Sequence, residues 1–600
     1  MNVVITAEGI VSAIGNGETE VLESLRSQKS GIGAMCYLNS IHKELPVGEV
    51  KMSNREMMSA LGISQDEEMS RTSLLAITAI QQIVSTLPSR KQGEDSPRIL
   101  LLSGTSVGTM DMTEQHFHAF AIERATYHPK YHGCGGSTQC VADYFGIFDD
   151  QTTVSTACSS AANAIVLGAN LIKAGQADIV VAGGTEALSQ FHLNGFNSLM
   201  ILDHERCRPF DATRAGLNLG EGAAFVVLES EEFAQKRGAE IHAYLAGYGN
   251  ACDAFHQTAS SDNGEGAFLA MTEALAMGGL QPADIQYVNA HGTGTQNNDQ
   301  SEGVALWRVF GDKMPWVSST KSFTGHTTSA SGSIETVISI LALRHHFVPA
   351  NLGWKQQMPD GVTPSLGEDE AAIQNILCNS FGFGGNDTSL LLSANRPCVK
   401  QTMSEAHENV ENPFRSSKVK VLSRVEISSK EELKAIRDFV KPIEARRMGV
   451  LLKGSLLSSL KALREAEIEM PDAIITGTAN GCLVNSEQLL KQMLESGEEM
   501  VSPTYFMQST HNTIGSNIAV KTHCHGYNTT YSQGTDSLRW AMMDAELLLR
   551  SGKCKTVLVG CHEEVTEKFS AFFGENAYAD MPEGFHSVAM VLTLEETNQK

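Results

Sequence analysis

The sequence predicts an α/β protein in which helices cover the faces of β-sheets. Short strand-like runs rich in Val, Ile and Ala alternate along the chain with segments whose apolar residues recur at helical spacing. The chain has 600 residues, of which 42% are hydrophobic and 19% charged, and this length allows two or three globular units. We therefore expect layered sheets and helices divided between more than one unit.

The first unit is predicted to span residues 1–395, with halves of about 1–235 and 236–395. Its strands are predicted at 98–103, 152–156, 178–183, 285–290 and 376–381. Its helices are predicted at 70–86, 159–174, 264–278 and 329–345.

A second, smaller unit is predicted at residues 418–600. Residues 396–417 are poor in apolar residues and rich in Ser, Glu, Asn and Pro, which indicates a linker. Beyond this linker, strands are predicted at 419–427, 472–476, 526–530, 555–560 and 587–595, and helices at 430–439, 485–496 and 535–550. Because the stretch 528–563 is similar to 153–186, the second unit looks like a copy of half of the first.

Charge and apolar patterning exclude several classes of function. The formal net charge of −24 argues against nucleic-acid binding, which depends on clustered Lys and Arg. No apolar run reaches the roughly 18 residues needed for a membrane span, and no secretory signal is evident at the N-terminus. The 12 scattered cysteines fit free thiols, so we expect a cytoplasmic protein.

Four loops that follow predicted strands carry chemically capable side chains. Cys158 lies between a strand and a helix, where the N–H groups and dipole of the helix favour a thiolate and a sharp turn exposes the side chain. His291 begins a His-Gly-Thr-Gly-Thr loop, Lys321 and His326 share another loop, and 382–385 reads Gly-Phe-Gly-Gly. Strand carboxyl ends are where α/β proteins assemble sites, so we predict a Cys nucleophile with two histidines.

Other interpretations of these residues are weaker. A cysteine in an apolar context is usually a small buried hydrophobe, but its neighbours argue against that here. The Gly-rich loop at 382–385 precedes a strand rather than a helix, which disfavours a phosphate-binding loop. Two His and Cys groups, at 128–134 and 523–525, lack a recognisable ligand spacing, and no metal site is predicted.

In order and spacing, these motifs resemble the elongating type of β-ketoacyl-acyl-carrier-protein synthase over nearly all of residues 1–395. The resemblance implies a thiolase-like αβαβα layered fold followed by a smaller thiolase-like half-domain. Initiating synthases use Cys-His-Asn instead. Thiolases use Cys-His-Cys, and the candidate second thiol here, Cys378, is predicted to lie within a strand.

The resemblance also implies a role for each residue. Cys158 would carry the acyl chain, and the amide N–H groups of Cys158 and Phe383 would form the oxyanion hole. His291 and His326 would stabilise the enolate formed when a malonyl extender loses carbon dioxide, and Lys321 would orient them. The remaining implied positions are Thr293 and Thr295 on the pantetheine arm, Phe383 as a gate, and Val107 and Phe196 in the acyl pocket.

Two positions depart from the family pattern. Gly384-Gly385-Asn386-Asp387 stands where many relatives read Gly-Gly-Thr-Asn, which changes the packing of that loop. Met200 stands where bacterial elongating enzymes often carry an Arg that docks the carrier protein, so the usual docking surface is in doubt.

The second unit resembles the amino-terminal half of a ketosynthase, as found in bacterial polyene pigment clusters. Its nucleophile position falls on Gln533 or Thr535, and neither is a cysteine. We therefore expect a structural half-domain that pairs with the first unit, in place of a subunit of the dimers these folds form, and shapes the acyl tunnel.

The predicted function is an elongating β-ketoacyl synthase in a polyene or polyketide pathway. The alternatives are housekeeping fatty acid elongation and a non-catalytic chain-length-factor-like partner. The resemblance implies no bound cofactor, substrates carried on the 4′-phosphopantetheine of acyl carrier protein, and a homodimer or a dimer with another ketosynthase-like subunit.

Overall fold

The structure is a computed structural model. It describes residues 1–88, 96–359, 361–397, 418–574, 578, 581 and 584–595. Most of the predicted linker, 398–417, lies outside these residues. Among the helices of the described chain, none combines the length and the apolar character that crossing a membrane requires.

The strands and helices follow one another along both units. The strands are β1 Val3–Ser12, β2 Gly15–Asn16, β3 Ile99–Gly104, β4 Asp150–Val154, β5 Ile179–Glu186, β6 Gly222–Ser230, β7 Ala243–Cys252, β8 Tyr287–Asn289, β9 Trp316–Ser318, β10 Asn375–Gly382, β11 Asn386–Ser393, β12 Val419–Ile427, β13 Ala473–Gly477, β14 Tyr527–Tyr531, β15 Val557–Val565 and β16 Gly584–Leu594. The helices are α1 Glu18–Arg26, α2 Asn54–Leu61, α3 Arg71–Gln81, α4 Met110–Glu123, α5 Gly133–Phe145, α6 Ser160–Lys173, α7 Gln190–Ser198, α8 Glu231–Arg237, α9 Glu265–Gly278, α10 Gln296–Phe310, α11 Lys321–Thr324, α12 Ser331–His345, α13 Pro442–Arg447, α14 Val450–Glu465, α15 Leu483–Ser496, α16 Pro503–Met507, α17 Thr513–Thr522, α18 Ser537–Arg550 and α19 Glu567–Phe573.

Three five-stranded segments of the sheet repeat one strand order. The first half has the order β4-β3-β5-β6-β1, the second half β9-β8-β10-β11-β7, and the second unit β14-β13-β15-β16-β12. In each segment the fifth strand in chain order is antiparallel to its neighbours and the others pair in parallel. The second unit therefore has the topology of one half of the first.

Five layers make up the first unit. Helix α3 covers the outer face of the first sheet segment, and α9 and α10 cover the outer face of the second. Helices α6 and α12 lie between the two segments and are buried on nearly all sides, as helices of a central layer are. They approach closely because Gly332 has no side chain, and a Cβ there would lie 2.7 Å from the backbone N of Ala162. The predicted αβαβα layering is confirmed.

The second unit has one sheet segment within the described residues. Helices α14 and α17 cover one face of it, while α18 lies on the other face in the place that α6 has in the first unit. The predicted helix at 430–439 is wrong in type, because Glu432–Asp438 is a 3₁₀ helix. The 3₁₀ helix starts where the Glu432 carboxylate accepts from the N–H groups of Ser428 and Ser429.

The two units join through the edge strands β4 and β14. These strands run antiparallel, with Val154 opposite Tyr531, and Ser155 N donates to Thr530 O while Ser532 N donates to Thr153 O, both at 2.9 Å. Near this contact, each residue of the second unit is equivalent to the residue 377 positions earlier, in the first unit. Ser537, which begins α18, is for example the equivalent of Ser160, which begins α6. Because the contact pairs equivalent residues, the two units face each other across a pseudo-twofold axis.

Candidate active site

Cys158 lies on a sharp turn between β4 and α6. The turn is a 3₁₀ segment, Ala157–Ser159, and α6 begins directly after it at Ser160. Ala157 has a φ of 51°, a left-handed conformation that costs a residue with a Cβ about 1–2 kcal/mol. Ser159 Oγ donates to Thr156 O, and Ser160 Oγ donates to Ala157 O, so the turn is held by its own neighbours. The turn places the thiol of Cys158, which is 5% exposed, at the N-terminal end of α6.

Both predicted histidines come together with Cys158. His291 follows β8, and His326 follows β9 and α11, so neighbouring strand ends bring them to one place. His326 Nε2 lies 3.1 Å from Cys158 Sγ, and one ligand atom from each of the three side chains lies within 4.8 Å of the others. The two imidazole rings meet edge to face at 5.3 Å between centroids.

Lys321 connects His291 to a buried carboxylate. Its Nζ lies 3.2 Å from His291 Nδ1 and 2.5 Å from Glu335 Oε1, and Lys321 is 1% exposed. Since an ammonium group can only donate, Nδ1 of His291 is the acceptor and its Nε2 carries the proton. Glu335 was missed by sequence reasoning, although a lone acidic residue within the apolar helix 329–345 is a usable signal.

Glu302 holds the backbone of the His291 loop and was also missed. Its carboxylate accepts from His291 N at 2.8 Å and from Gly292 N at 2.7 Å. Asn379 Nδ2 donates to the same carboxylate at 3.3 Å. The Glu302 carboxylate therefore holds the backbone of the loop in place, through hydrogen bonds that do not involve the imidazole ring of His291.

The thiol of Cys158 contradicts the expected thiolate. Burial raises its pKa to about 11, although Lys321 and the backbone N–H groups of Phe383 and Cys158 lower it. The desolvation of a charged sulfur therefore outweighs the nearby cation and the two backbone N–H groups. Burial, with Lys321 second, also holds the pKa values of His291 and His326 well below the ordinary value, so both imidazoles are neutral.

A cavity of about 510 Å³, here called the nucleophile cavity, opens onto these side chains. Its lining includes Cys158, Phe196, His291, Thr293, Thr295, His326 and Phe383. Thr293 and Thr295 share a hydrogen bond of 2.9 Å between their hydroxyls. Phe196 and Phe383 stack at 5.6 Å between centroids. Met200, the departure noted above, lines the same cavity at its exposed mouth, with 89% of its surface accessible.

Comparison with known proteins agrees with this geometry. Models described as the β-ketoacyl synthase N-terminal and C-terminal domains match residues 1–234 and 242–355. The 3-oxoacyl-[acyl-carrier-protein] synthase 1 of Escherichia coli (strain K12) is 33% identical over 407 residues, which cover 65% of this chain and 98% of that enzyme. The chain belongs to the β-ketoacyl synthase family.

Two further similarities concern a curated relative and a solved structure. Nodulation protein E of Rhizobium meliloti (strain 1021) is 34% identical over 400 residues, covering 65% of this chain and 98% of that protein. A solved structure titled "PfaC Keto synthase-Chain length factor" superposes with a TM-score of 0.74 over 99% of this chain and 78% of its own, at 15% identity, which is evidence of a shared fold alone.

A second model of the β-ketoacyl synthase N-terminal domain matches residues 422–600, so the ketosynthase has an additional N-terminal-type domain.

The nucleophile position of this additional domain carries no thiol. The 3₁₀ turn Gly534–Asp536 repeats the turn at Cys158, and Gly534 has a φ of 53° where Ala157 has 51°. With the offset of 377 positions, Thr535 stands at the position of Cys158 and Gln533 at that of Thr156. Of the two positions that sequence reasoning left open, the structure selects Thr535.

Val107 lies apart from the other predicted ketosynthase residues. It lines a second cavity of about 60 Å³, here called the interface cavity, together with Met110 and Phe191. The second unit closes this cavity with Leu483 and Phe506, among others. Phe506 packs on Phe196 at 5.2 Å between centroids, so one aromatic layer separates the two cavities.

Two alternative interpretations, a second catalytic thiol at Cys378 and a metal site, can be compared with the structure. Cys378 is buried within β10, as predicted. Within the described residues, the group with the geometry to hold a metal is Cys158, His291 and His326. The ammonium of Lys321 beside His291 opposes a second cation there.

Proposed function

We propose that the first unit is a 3-oxoacyl-[acyl-carrier-protein] synthase that joins an acyl chain on Cys158 to malonyl-acyl carrier protein by decarboxylative Claisen condensation. The observation that carries this proposal is the contact of 3.1 Å between His326 Nε2 and Cys158 Sγ, with neutral His291 beside them. A scaffold protein has no need of this set, and a thiolase needs a second cysteine in the cavity.

Acyl transfer is the first half-reaction. Cys158 Sγ attacks the carbonyl of an acyl thioester, and the carrier thiol leaves with the proton that the cysteine gives up. His326 accepts that proton on Nε2 and passes it to the leaving sulfur. This step needs a proton on Nδ1, and Ser331 Oγ, at 3.1 Å, can accept from it. The amide N–H groups of Cys158 and Phe383, which face the Cys158 sulfur, would stabilise the oxyanion.

Condensation is the second half-reaction. The malonyl group loses carbon dioxide, and the electron pair of the broken bond forms an enolate whose oxygen accepts from Nε2 of His291 and of His326. The same Ser331 hydroxyl can donate to Nδ1 of His326, which leaves Nε2 protonated for this step. The enolate carbon attacks the acyl carbonyl, and the Cys158 thiolate leaves and takes up the one proton that the overall reaction consumes.

The substrates would arrive on the phosphopantetheine arm of acyl carrier protein, alongside Thr293 and Thr295 in the nucleophile cavity. We propose no cofactor or metal for these steps. We favour a polyene or polyketide pathway over housekeeping elongation, because the chain carries the additional domain and the structural neighbour titled as a ketosynthase with a chain length factor covers nearly all of it.

The second unit, we propose, takes the place of a dimer partner and limits the length of the acyl chain. Three features support this role: its edge strand β14 occupies the edge of β4, its turn carries Thr535, and Leu483 and Phe506 wall the interface cavity. Replacing Phe506 by Ala should enlarge the interface cavity, which Phe506 lines, and lengthen the products. Unchanged product length in a folded Phe506→Ala protein would overturn this role.

One assay tests the proposed reaction. The protein is incubated with acyl- and malonyl-carrier protein while released carbon dioxide and product mass are followed. The expected product is the acyl chain extended by two carbons as a β-ketoacyl thioester. Carbon dioxide release without any extended product, or no turnover with acyl chains of any length, would contradict the proposal.

A further inference from the structure

The interface cavity has mostly apolar walls, but polar side chains from both units also line it. The apolar walls come from Val107, Met110, Leu483, Phe191, Phe506, Phe569 and Phe573. Between them stand polar side chains from both units, among them Ser106, Thr113, Asn480, Ser509 and His511. Ligand cavities place such groups where they fix a polar part of the ligand.

His511, which belongs to this lining, has one ring nitrogen that lacks a hydrogen-bond partner among the described residues. Its Nδ1 lies 3.9 Å from Cys134 Sγ, while its Nε2 is buried and has no partner among the described residues. The side chain is 8% exposed, and burial lowers its pKa to about 4, so the ring is neutral and can offer one donor or one acceptor. Buried polar atoms are nearly always satisfied, and a bound ligand is one way to satisfy them.

The position of His511 follows from the pseudo-twofold axis. With the offset of 377 positions, His511 is the equivalent of Cys134 in the first unit, and the two side chains meet across the interface. The chain therefore has an imidazole on one side of the axis where it has a thiol on the other. The cavity beside them lies behind Phe506 and Phe196, on the far side of the aromatic layer from Cys158.

We propose that the interface cavity is a subsite for the far end of the acyl chain, and that His511 hydrogen-bonds a hydroxyl or carbonyl group carried there. This inference rests on the proposed function. The cavity is small, about 60 Å³, so the group that it takes is small as well. The substrate class is an acyl thioester with an oxygen function at its far end.

The test measures the rate at which Cys158 becomes acylated from matched carrier thioesters. Each chain length is offered with a terminal hydroxyl and with a terminal methyl group. At the length that fits, the natural protein should react about ten-fold faster with the hydroxyl form, and His511→Phe should remove this preference while His511→Gln keeps part of it. A methyl preference at every length, or the same hydroxyl preference in His511→Phe, would overturn the subsite. Failure of all acyl thioesters to react would overturn the proposed function as well.

A second observation concerns the loop of residues 382–385, here called the gate loop. Asn512, which is 1% exposed, lies just before α17 of the second unit and donates from Nδ2 to Phe383 O at 2.7 Å and to Asn386 Oδ1 at 2.8 Å. The approach is close, because a Cβ on Gly384 would lie 2.1 Å from Ser516 Oγ of α17. The backbone N–H of the same Phe383 faces the Cys158 thiol.

The asymmetry of the chain supports a specific role for this contact. The equivalent of Asn512 in the first unit is Gly135, which has no side chain to donate. The described part of the second unit has no gate loop that would need such a donor. We infer that Asn512 is a positioning residue, through which the second unit fixes the Phe383 peptide and aims its amide at the acyl carbonyl on Cys158.

Its test separates acyl transfer from decarboxylation. Asn512→Asp keeps the shape but removes both donors, and Thr522→Ala, on the same helix but away from the loop, is the control. Cys158 acylation should fall at least ten-fold in Asn512→Asp. Malonyl decarboxylation, measured in a Cys158→Gln background, should change less than two-fold, because it uses the histidines alone. Equal loss of both rates, or no loss of acylation, would overturn the role.

Discussion

Replacing Lys321 by Met tests whether this lysine acts on the reaction or only on the fold. Its Nζ donates to His291 Nδ1 at 3.2 Å and pairs with Glu335 Oε1 at 2.5 Å, and all three groups are buried. Glu335 Oε2 has no hydrogen-bond partner among the described residues. Removing Lys321 therefore leaves a carboxyl group with no cation and removes the donor that fixes the tautomer of His291.

The loss of stability and the loss of rate can each be estimated from these contacts. Breaking a buried ion pair by removing one partner costs about 3–5 kcal/mol, whereas replacing both partners by apolar groups is often nearly neutral. The double variant Lys321→Met/Glu335→Leu should therefore recover at least about 2 kcal/mol of the stability that Lys321→Met loses. Catalysis should not recover, since the lost charge-assisted hydrogen bond to His291 contributes about 1.5–3 kcal/mol, or roughly 10- to 150-fold in rate.

The assay combines urea unfolding with carbon dioxide release from malonyl-carrier protein. The expected result is an unfolding midpoint that falls in the single variant and rises again in the double variant, with decarboxylation slow in both. A double variant that regains both stability and rate would refute a role for Lys321 in the chemistry. A single variant as stable as the natural protein would refute the ion-pair argument.

Further outcomes can be checked on the same protein. Cys158→Ala should abolish condensation, whereas Cys158→Gln should still release carbon dioxide from malonyl-carrier protein; retained condensation in either variant refutes the mechanism. Burial raises the pKa of Glu563, in β15, from 4.5 to about 8. Between these two pH values the folded state holds a proton that the unfolded state releases. The stability that this group contributes therefore falls as pH rises from about 4.5 through 8. Glu563→Gln should therefore gain stability relative to the natural protein as pH rises from 5 to 8 in urea titrations, and a difference independent of pH contradicts this. Dialysis against EDTA should leave the condensation rate unchanged, because Lys321 opposes a cation at the histidines; activity that is lost and then restored by Zn²⁺ would show a metal centre.

The sequence allowed the layered fold and the identity of the Cys-His-His group to be predicted, because both depend on local signals. Alternating strand and helix patterns give the layers; His291 follows the short strand β8 closely, and His326 lies in the loop that comes after β9 and α11. The group at Cys158 needs only that parallel strand ends meet at one edge of a sheet. Thr535 was one of two positions that the sequence left open, since the similarity of two short stretches cannot fix the start of a helix to one residue.

Features that depend on contacts between distant segments could not be predicted in this way. Helix α5 begins with Gly133 and includes two more glycines in its first turn, a poor helix signal, and Gly135 is required because a Cβ there would lie 2.8 Å from Ser532 O of the second unit. Asn512 reaches Phe383 only because β4 pairs with β14. The expected thiolate was wrong because burial, which raises the pKa of Cys158, is a property of the packed structure.

Intact-protein and peptide mass spectrometry after incubation with an acyl-carrier protein tests the central claim most directly. A single acyl group should be added per chain, on the peptide that contains Cys158, and none on the peptide that contains Thr535. The Cys158→Ala protein should remain unmodified. Acylation at another residue, or a second acyl group on residues 418–600, would contradict the account of one nucleophile per chain.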